Sequence, residues 1–77
     1  MNDEAVKDRQ PALLDVVALL AGLPAQGLAR GQVGTVVEPL DDKTVLVEFT
    51  DDQGRAYAIA PCPHSELLVL HYVPQAA

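Results

Sequence analysis

Residues 44–60, TVLVEFTDDQGRAYAIA, contain the clearest structural pattern in the chain. Apolar and polar residues alternate over Thr44–Thr50, which is typical of a β-strand with one buried face. The segment DDQG at 51–54 predicts a tight turn, because aspartate bonds its own backbone and glycine adopts a positive φ at little cost. Residues 55–60 then return as a second strand, so the stretch predicts a β-hairpin. Three of its side chains are expected in the core: Val45, Val47 and Phe49.

Short apolar runs separated by prolines and glycines extend the β pattern in both directions. Residues 32–40, QVGTVVEPL, predict a strand that a turn at 41–43, DDK, joins to the central one. The segments PCP at 61–63 and HSE at 64–66 predict an irregular or 3₁₀ connection, because proline cannot donate to a central ladder. Residues 67–72, LLVLHY, predict the last strand.

The run LLDVVALL at 13–20 is compatible with two structures. A helix would begin near Pro11 and end at Gly22, with apolar residues three and four apart on one face. It would have only about two turns between these breakers. We favour a strand, because the even-numbered residues 14–20 form an apolar alternation with Asp15 on the opposite side.

Five strands, a long first loop at 21–31 and tight turns predict an all-β, small five-stranded SH3-like barrel. A barrel suits a chain of 77 residues, because closure limits exposed strand edges. Residues 1–11 contain too few apolar side chains to offset their ordering entropy and are predicted to be a flexible tail. A single domain is expected over 12–74, with a flexible end at 75–77.

Composition restricts the partners and the compartment. Eleven Asp and Glu against five Lys and Arg give a formal net charge of -6, the wrong sign for holding nucleic acid phosphates. A basic partner is expected instead. The N-terminal residues do not form a secretion signal, no apolar run reaches the ~20 residues of a membrane span, and Cys62 is the single cysteine. We therefore expect a cytoplasmic protein that contacts neither nucleic acid nor membrane.

No group of residues forms a convincing catalytic or metal-binding motif. Cys62, His64 and His71 supply three zinc ligands where a structural site needs four. Cys62 also stands between two prolines without an adjacent base, which disfavours a nucleophile. The pairs Asp41-Asp42 and Asp51-Asp52 fall in predicted turns. We expect no enzymatic activity, no cofactor and no metal.

The first and last predicted strands are apolar on both faces, whereas a strand of a small barrel buries only one. Their second face is therefore expected to contact the tail or the long loop, a second copy of the chain, or a partner protein. The candidate contact residues are Leu13, Val17, Leu19, Leu67 and Val69. Acidic turn residues would add a negative rim if both turns lay at the same end of the barrel. These residues are Asp41, Asp42, Asp51 and Asp52.

Five segments of the chain form a recognisable combination: DVVALL at 15–20, GLARGQVGTVVE at 27–38, VEF at 47–49, DQGR at 52–55 and ELLVL at 66–70. Together they resemble one uncharacterised bacterial family, known as domain of unknown function 4926. The resemblance covers nearly the whole chain after the tail. Its most specific part is 30–38, where Gly31 and Gly34 have a geometric explanation, as residues that open a bent strand or leave room for a crossing backbone.

Two functional hypotheses follow from the residues. The first is a non-enzymatic protein-binding module, in its most concrete form an antitoxin or immunity-type protein that caps a basic effector. The second is an RNA- or ribosome-associated module, because residues 31–36 are similar to the opening of the KOW motif. A basic stripe on the folded surface would favour the second hypothesis.

Overall fold

The computed structural model describes residues 10–71 and Pro74. Its five strands are β1 (Val16–Leu19), β2 (Val33–Pro39), β3 (Thr44–Thr50), β4 (Ala56–Pro63) and β5 (Leu67–Val69). Two 3₁₀ segments, Pro24–Gln26 and His64–Glu66, lie between strands, and the predicted all-β class is confirmed. Of the predicted flexible ends, 1–9 and 75–77 lie outside the described residues, as does Tyr72 of the predicted last strand. Pro11 is buried.

The strands form one antiparallel sheet in the order β4-β3-β2-β1-β5. Strands β2, β3 and β4 are consecutive hairpins, whereas β1 pairs with β5, which follows it by about fifty residues of chain. Within residues 10–71 the sheet is open, because β4 and β5 each have one strand neighbour. The predicted barrel is therefore only an approximate description.

Both turns of the β2–β3–β4 segment form as predicted. Asp51 Oδ1 accepts hydrogen bonds from the backbone N–H of Gln53 at 2.9 Å and of Arg55 at 3.0 Å, and Gly54 has φ 81°. Asp41 Oδ1 accepts from the N–H of Lys43 at 2.8 Å in the other turn. Local aspartate bonds thus determine both ends of β3.

The core lies on one side of the sheet and receives side chains from every strand. Its members are Val17, Leu19, Leu28, Val36, Val45, Val47, Phe49, Ala60, Cys62 and Leu67. Phe49 is its largest fully buried side chain. The predicted core face of β3 is confirmed.

Gly34 leaves the space that this core requires. It lies in register between Val17 of β1 and Phe49 of β3. A Cβ atom at this position would stand 2.9 Å from Phe49 Cδ2 and 2.8 Å from the carbonyl oxygen of Glu48. A side chain would therefore displace the Phe49 ring or a neighbouring strand. The geometric explanation of this glycine is confirmed.

The prediction that residues 61–63 form an irregular connection is wrong, because β4 continues to Pro63. The N–H of His64 donates to the carbonyl of Lys43 at 2.8 Å, so the even-numbered residues of β4 bond to β3. Pro61 and Pro63 therefore direct their backbone nitrogens to the free edge, where a missing N–H costs no ladder bond. The 3₁₀ turn predicted at 64–66 is confirmed.

The strand interpretation of the first apolar run is confirmed over Val16–Leu19, and the helical alternative is wrong. Leu13 and Leu14 form a turn before the strand, closed by a hydrogen bond from the N–H of Ala12 to Asp15 Oδ2 at 2.9 Å. Leu14 has φ 70°, a left-handed conformation that is unfavourable for a side chain with a Cβ.

Candidate protein-binding face

The side of the sheet opposite the core is called the outer face here. Alternation along each strand places nine residues on it: Val16, Ala18, Val33, Thr35, Leu46, Glu48, Ile59, Pro61 and Leu68. Six of these nine are Val, Leu, Ile or Ala, so the outer face is apolar although no described element covers it. Beside it, Leu14 and Leu20 are also exposed.

The outer face is the reverse of the one predicted for β1 and β5. Val17, Leu19 and Leu67, predicted to contact a partner, are core residues, with exposed fractions of 0%, 2% and 7%. Val69 packs against the same core, and only Leu13 of the predicted apolar set is exposed. Val17, Leu19 and Leu67 are therefore not a free surface for a partner, and they share the core with Leu28 of the long first loop, one of the contacts expected for this face.

Register explains the inversion. Val17 pairs with Gly34 on one side and with Val69 on the other, so its side chain lies on the same face as Gly34, where Val47 and Phe49 fill the space that a Cβ would occupy. Both faces of β1 are apolar, and its own sequence therefore does not state which face is buried. The deciding contact comes from a residue on another strand.

One apolar patch lies on β5, β1 and β2. Leu68, Ala18 and Val33 stand opposite one another in register, and Leu68 and Val33 are 51% and 44% exposed. Val16 and Leu20 extend this row along β1. We call the five residues the β1 patch. Side chains that are aligned across three strands form a continuous contact surface.

A second apolar patch lies on β3 and β4. It comprises Ile59, Pro61 and Leu46, and we call it the β4 patch. Ile59 is 54% exposed, whereas the inward positions of the same strand carry small alanines. Tyr57 lies next to this patch, in the register shift of β4, and its hydroxyl accepts a hydrogen bond from Gln32 Nε2 at 2.6 Å. Large residues outside and alanines inside are a sequence signal that could have located this patch.

Glu48 lies between the two patches. It pairs with Thr35 on one side and with Ile59 on the other, and its side chain is half-buried. Its carboxylate has no hydrogen-bond or ion-pair partner among the described residues. A carboxylate that is partly desolvated among apolar neighbours is stabilised by an arriving cation.

The acidic turns do not form a joint rim. They flank β3, so Asp41 and Asp42 lie at one end of the strand and Asp51 and Asp52 at the other. The condition for a shared negative rim, both turns at the same end of the sheet, is therefore not met. Hydrogen bonds to the N–H groups of Arg55 and Gln53 lower the pKa of Asp51, and a bond to the N–H of Lys43 lowers the pKa of Asp41.

Basic residues of the described chain are dispersed. Arg30, Lys43 and Arg55 occupy three separate connections between strands, and Arg55 is bonded to Asp51 at 3.3 Å. None of the three is on the outer face. The basic stripe that would favour RNA binding is not present among residues 10–71.

The candidate nucleophile and zinc ligands of the sequence are not brought together within the described residues. Cys62 is fully buried, and burial together with the charge of Glu66 raises the pKa of its thiol, which disfavours the reactive thiolate. No three His, Cys, Asp or Glu side chains of residues 10–71 are placed to share a metal. An open depression of ≈ 280 Å³ next to Lys43 and His64 is lined by side chains of mixed polarity. In the same part of the chain, no helix is long and apolar enough to cross a membrane.

The described residues thus define a class: a small, open, antiparallel β-sheet protein with one packed face and one apolar exposed face. Residues 13–69 match the family described as a domain of unknown function (DUF4926), and the chain belongs to this family. The match begins just before β1 and ends with β5, so it spans the whole sheet. No curated protein and no solved structure matches the chain.

Proposed function

We propose that this protein is a non-enzymatic binding module that holds a basic protein partner against the outer face of its sheet. The observation that carries the proposal is the exposure of large apolar side chains on that face, led by Ile59 at 54% and Leu68 at 51%. Soluble proteins seldom leave apolar residues aligned across several strands uncovered unless another surface binds there.

The turn before β1 supports the same interpretation. Leu14 is 70% exposed and adopts φ 70°, so both its solvation and its backbone conformation are unfavourable in the isolated chain. Burial against a partner would recover the first of these costs. The exposed Leu13 and Leu20 would enlarge the same contact.

Charge selects the kind of partner. The protein has a net charge of -6, and none of the described Lys and Arg residues lies on the outer face. A basic surface would be attracted before contact, and a Lys or Arg on it would neutralise Glu48 between the two patches. An antitoxin or immunity-type protein that caps a basic effector has this chemistry. We place the protein in the cytoplasm, where its free Cys62 would remain reduced.

The test is affinity capture from the native cytosol with wild-type protein and matched charge variants. Glu48→Lys reverses a charge on the outer face, and Asp52→Lys makes the same change in the exposed β3–β4 turn. Wild type and Asp52→Lys should retain one basic protein, whereas Glu48→Lys should lose it. Leu68→Glu should lose it as well, because a charge in a desolvated contact is costly.

Equal capture by wild type, Glu48→Lys and Leu68→Glu would refute the outer face as the binding surface. Capture of a partner with an acidic surface would refute the charge argument. A nucleic acid that co-purifies with all four proteins would instead support an RNA-associated role.

A further inference from the structure

Strand β5 bonds to β1 through every second residue. The N–H of Leu20 donates to the carbonyl of Glu66, and the N–H of Leu70 donates to the carbonyl of Val16, both at 2.9 Å. In an antiparallel ladder, residues of this set direct both backbone groups to the same neighbour. Leu67 and Val69, at the alternate positions, therefore direct theirs away from β1.

The free edge of β5 offers both donors and acceptors. The N–H of Leu67 is used by the 3₁₀ turn, where it donates to the carbonyl of His64. The carbonyl of Leu67 and both backbone groups of Val69 face outwards, and β5 has no second strand neighbour among residues 10–71. Groups in this arrangement are satisfied by an additional strand.

The other edge of the sheet is protected against such pairing. Pro61 and Pro63 occupy two of the edge-facing positions of β4, so neither can donate a hydrogen bond. Residues 67–71, LLVLH, contain no proline and no charged carboxylate or ammonium group. Of the two edges, that of β5 is open to another strand.

We propose that two copies of this chain pair antiparallel through their β5 edges, about a two-fold axis at Val69. The Val69 N–H of each copy then donates to the Val69 carbonyl of the other. Two residues further out, the carbonyl of Leu67 accepts from the N–H of His71 of the second copy. The contact is isologous: the same β5 edge of each copy supplies both the N–H donors and the carbonyl acceptors.

Side chains favour the same pairing. With Val69 on the axis, Leu68 of one copy lies opposite Leu70 of the other on the outer face. The β1 patches of the two copies become neighbours across the axis. Residues 67–71 contain no acidic side chain, so the two edges meet without opposed carboxylates despite the net charge of -6. The dimer presents one ten-stranded sheet with a doubled apolar patch.

Sedimentation equilibrium of the full chain over a concentration series tests the pairing. Wild type should change from 8.2 kDa at low concentration to about twice that mass at high concentration. Val69→Pro removes an N–H that the fold itself does not use, and it should weaken dimerisation by roughly 100-fold or more. Ile59→Pro makes the matching change at the free edge of β4 and should leave the dimer unaltered.

Hydrogen exchange of the wild-type protein gives a second measurement that needs no variant. The Val69 amide should be protected at high concentration and should exchange rapidly on dilution. The Leu70 amide, which bonds to Val16, should be protected at every concentration. A chain of 8.2 kDa at all concentrations would overturn the proposal, whether or not its Val69 amide is protected. A dimer that is unchanged in a folded Val69→Pro variant would overturn it too.

Discussion

The β2–β3–β4 hairpins and the β1–β5 pair contribute to the same core, but the sequence predicts the buried face of the hairpins and not that of the pair. Strand β3 was predicted with its observed bounds, Thr44–Thr50, and with the correct buried face. Its polar residues face outwards, and an aspartate turn ends it on each side. β1 and β5 are apolar on both faces, and they pair with each other although most of the chain lies between them in sequence. Alternation therefore identifies a buried face only where the opposite face is polar.

The largest effect is expected from a buried charge at the end of β1, compared with the same charge on the exposed residue that follows. Leu19→Glu buries an unpaired carboxylate at a position that is 2% exposed, and it should abolish folding. Leu20→Glu places the same group at a position that is 47% exposed and should leave the free energy of unfolding within about 1 kcal/mol of wild type. Heteronuclear NMR spectra of the two variants measure the outcome.

The matched pair distinguishes the observed face from the predicted one. A folded Leu19→Glu protein alongside an unfolded Leu20→Glu protein would mean that Leu20 lies in the core and Leu19 outside it, as the sequence pattern predicts. Two folded proteins would mean that β1 contributes little to the core.

Removal of the central ring should have the next largest effect. Phe49 is fully buried against Gly34, and Phe49→Ala should lower the free energy of unfolding by about 3–5 kcal/mol. A small domain has only about 5 kcal/mol or slightly more to lose. Ile59→Ala, on the outer face of the adjacent strand, should cost under about 1 kcal/mol. Denaturant titrations provide both values, and equal losses would contradict the division into two faces.

Local signals made the β2–β4 segment and its turns predictable. Asp51 and Gly54 form the turn through contacts with residues close to them in sequence, so the local sequence is enough to predict where β3 ends. The sequence did not predict that β4 extends through Pro61 and Pro63. Proline is tolerated in a strand only at the edge of a sheet, and residues near these prolines do not show that β4 is an edge strand. The exposed patches were missed for a related reason. An apolar residue taken alone is predicted to be buried. Only the packing of the other strands shows which face of the sheet forms the core and which apolar residues remain exposed.

Gly34 offers a smaller test of that long-range dependence. Gly34→Val would place a Cβ 2.6 Å from Val47 Cγ1 and 2.8 Å from the Glu48 carbonyl oxygen, which cannot move independently of its strand. Overpacking of this kind should cost about 1–3 kcal/mol. Thr35→Val introduces the same side chain one residue away on the outer face and should be nearly neutral. Equal thermal stability of the two variants would remove the steric explanation of the glycine.

The smallest expected effect concerns the turn that ends β3. The N–H groups of Arg55 and Gln53 bond to the Asp51 carboxylate and hold its pKa below the ordinary 3.8. A carboxyl group whose pKa is lowered by folding stabilises the protein above its unfolded pKa, and this contribution disappears as the pH falls through the folded-state value.

Asp51→Asn retains an oxygen acceptor but does not titrate. The variant should be slightly less stable than wild type at pH 7, and the difference should shrink below about pH 4. Urea unfolding at a series of pH values measures it. Asp52→Asn is the control, because its side chain bonds to no described residue, and its difference from wild type should not follow the same course. A gap between Asp51→Asn and wild type that stays constant from pH 7 to pH 3 would show that the charge of Asp51 does not stabilise the turn, and that its acceptor geometry alone ends the strand.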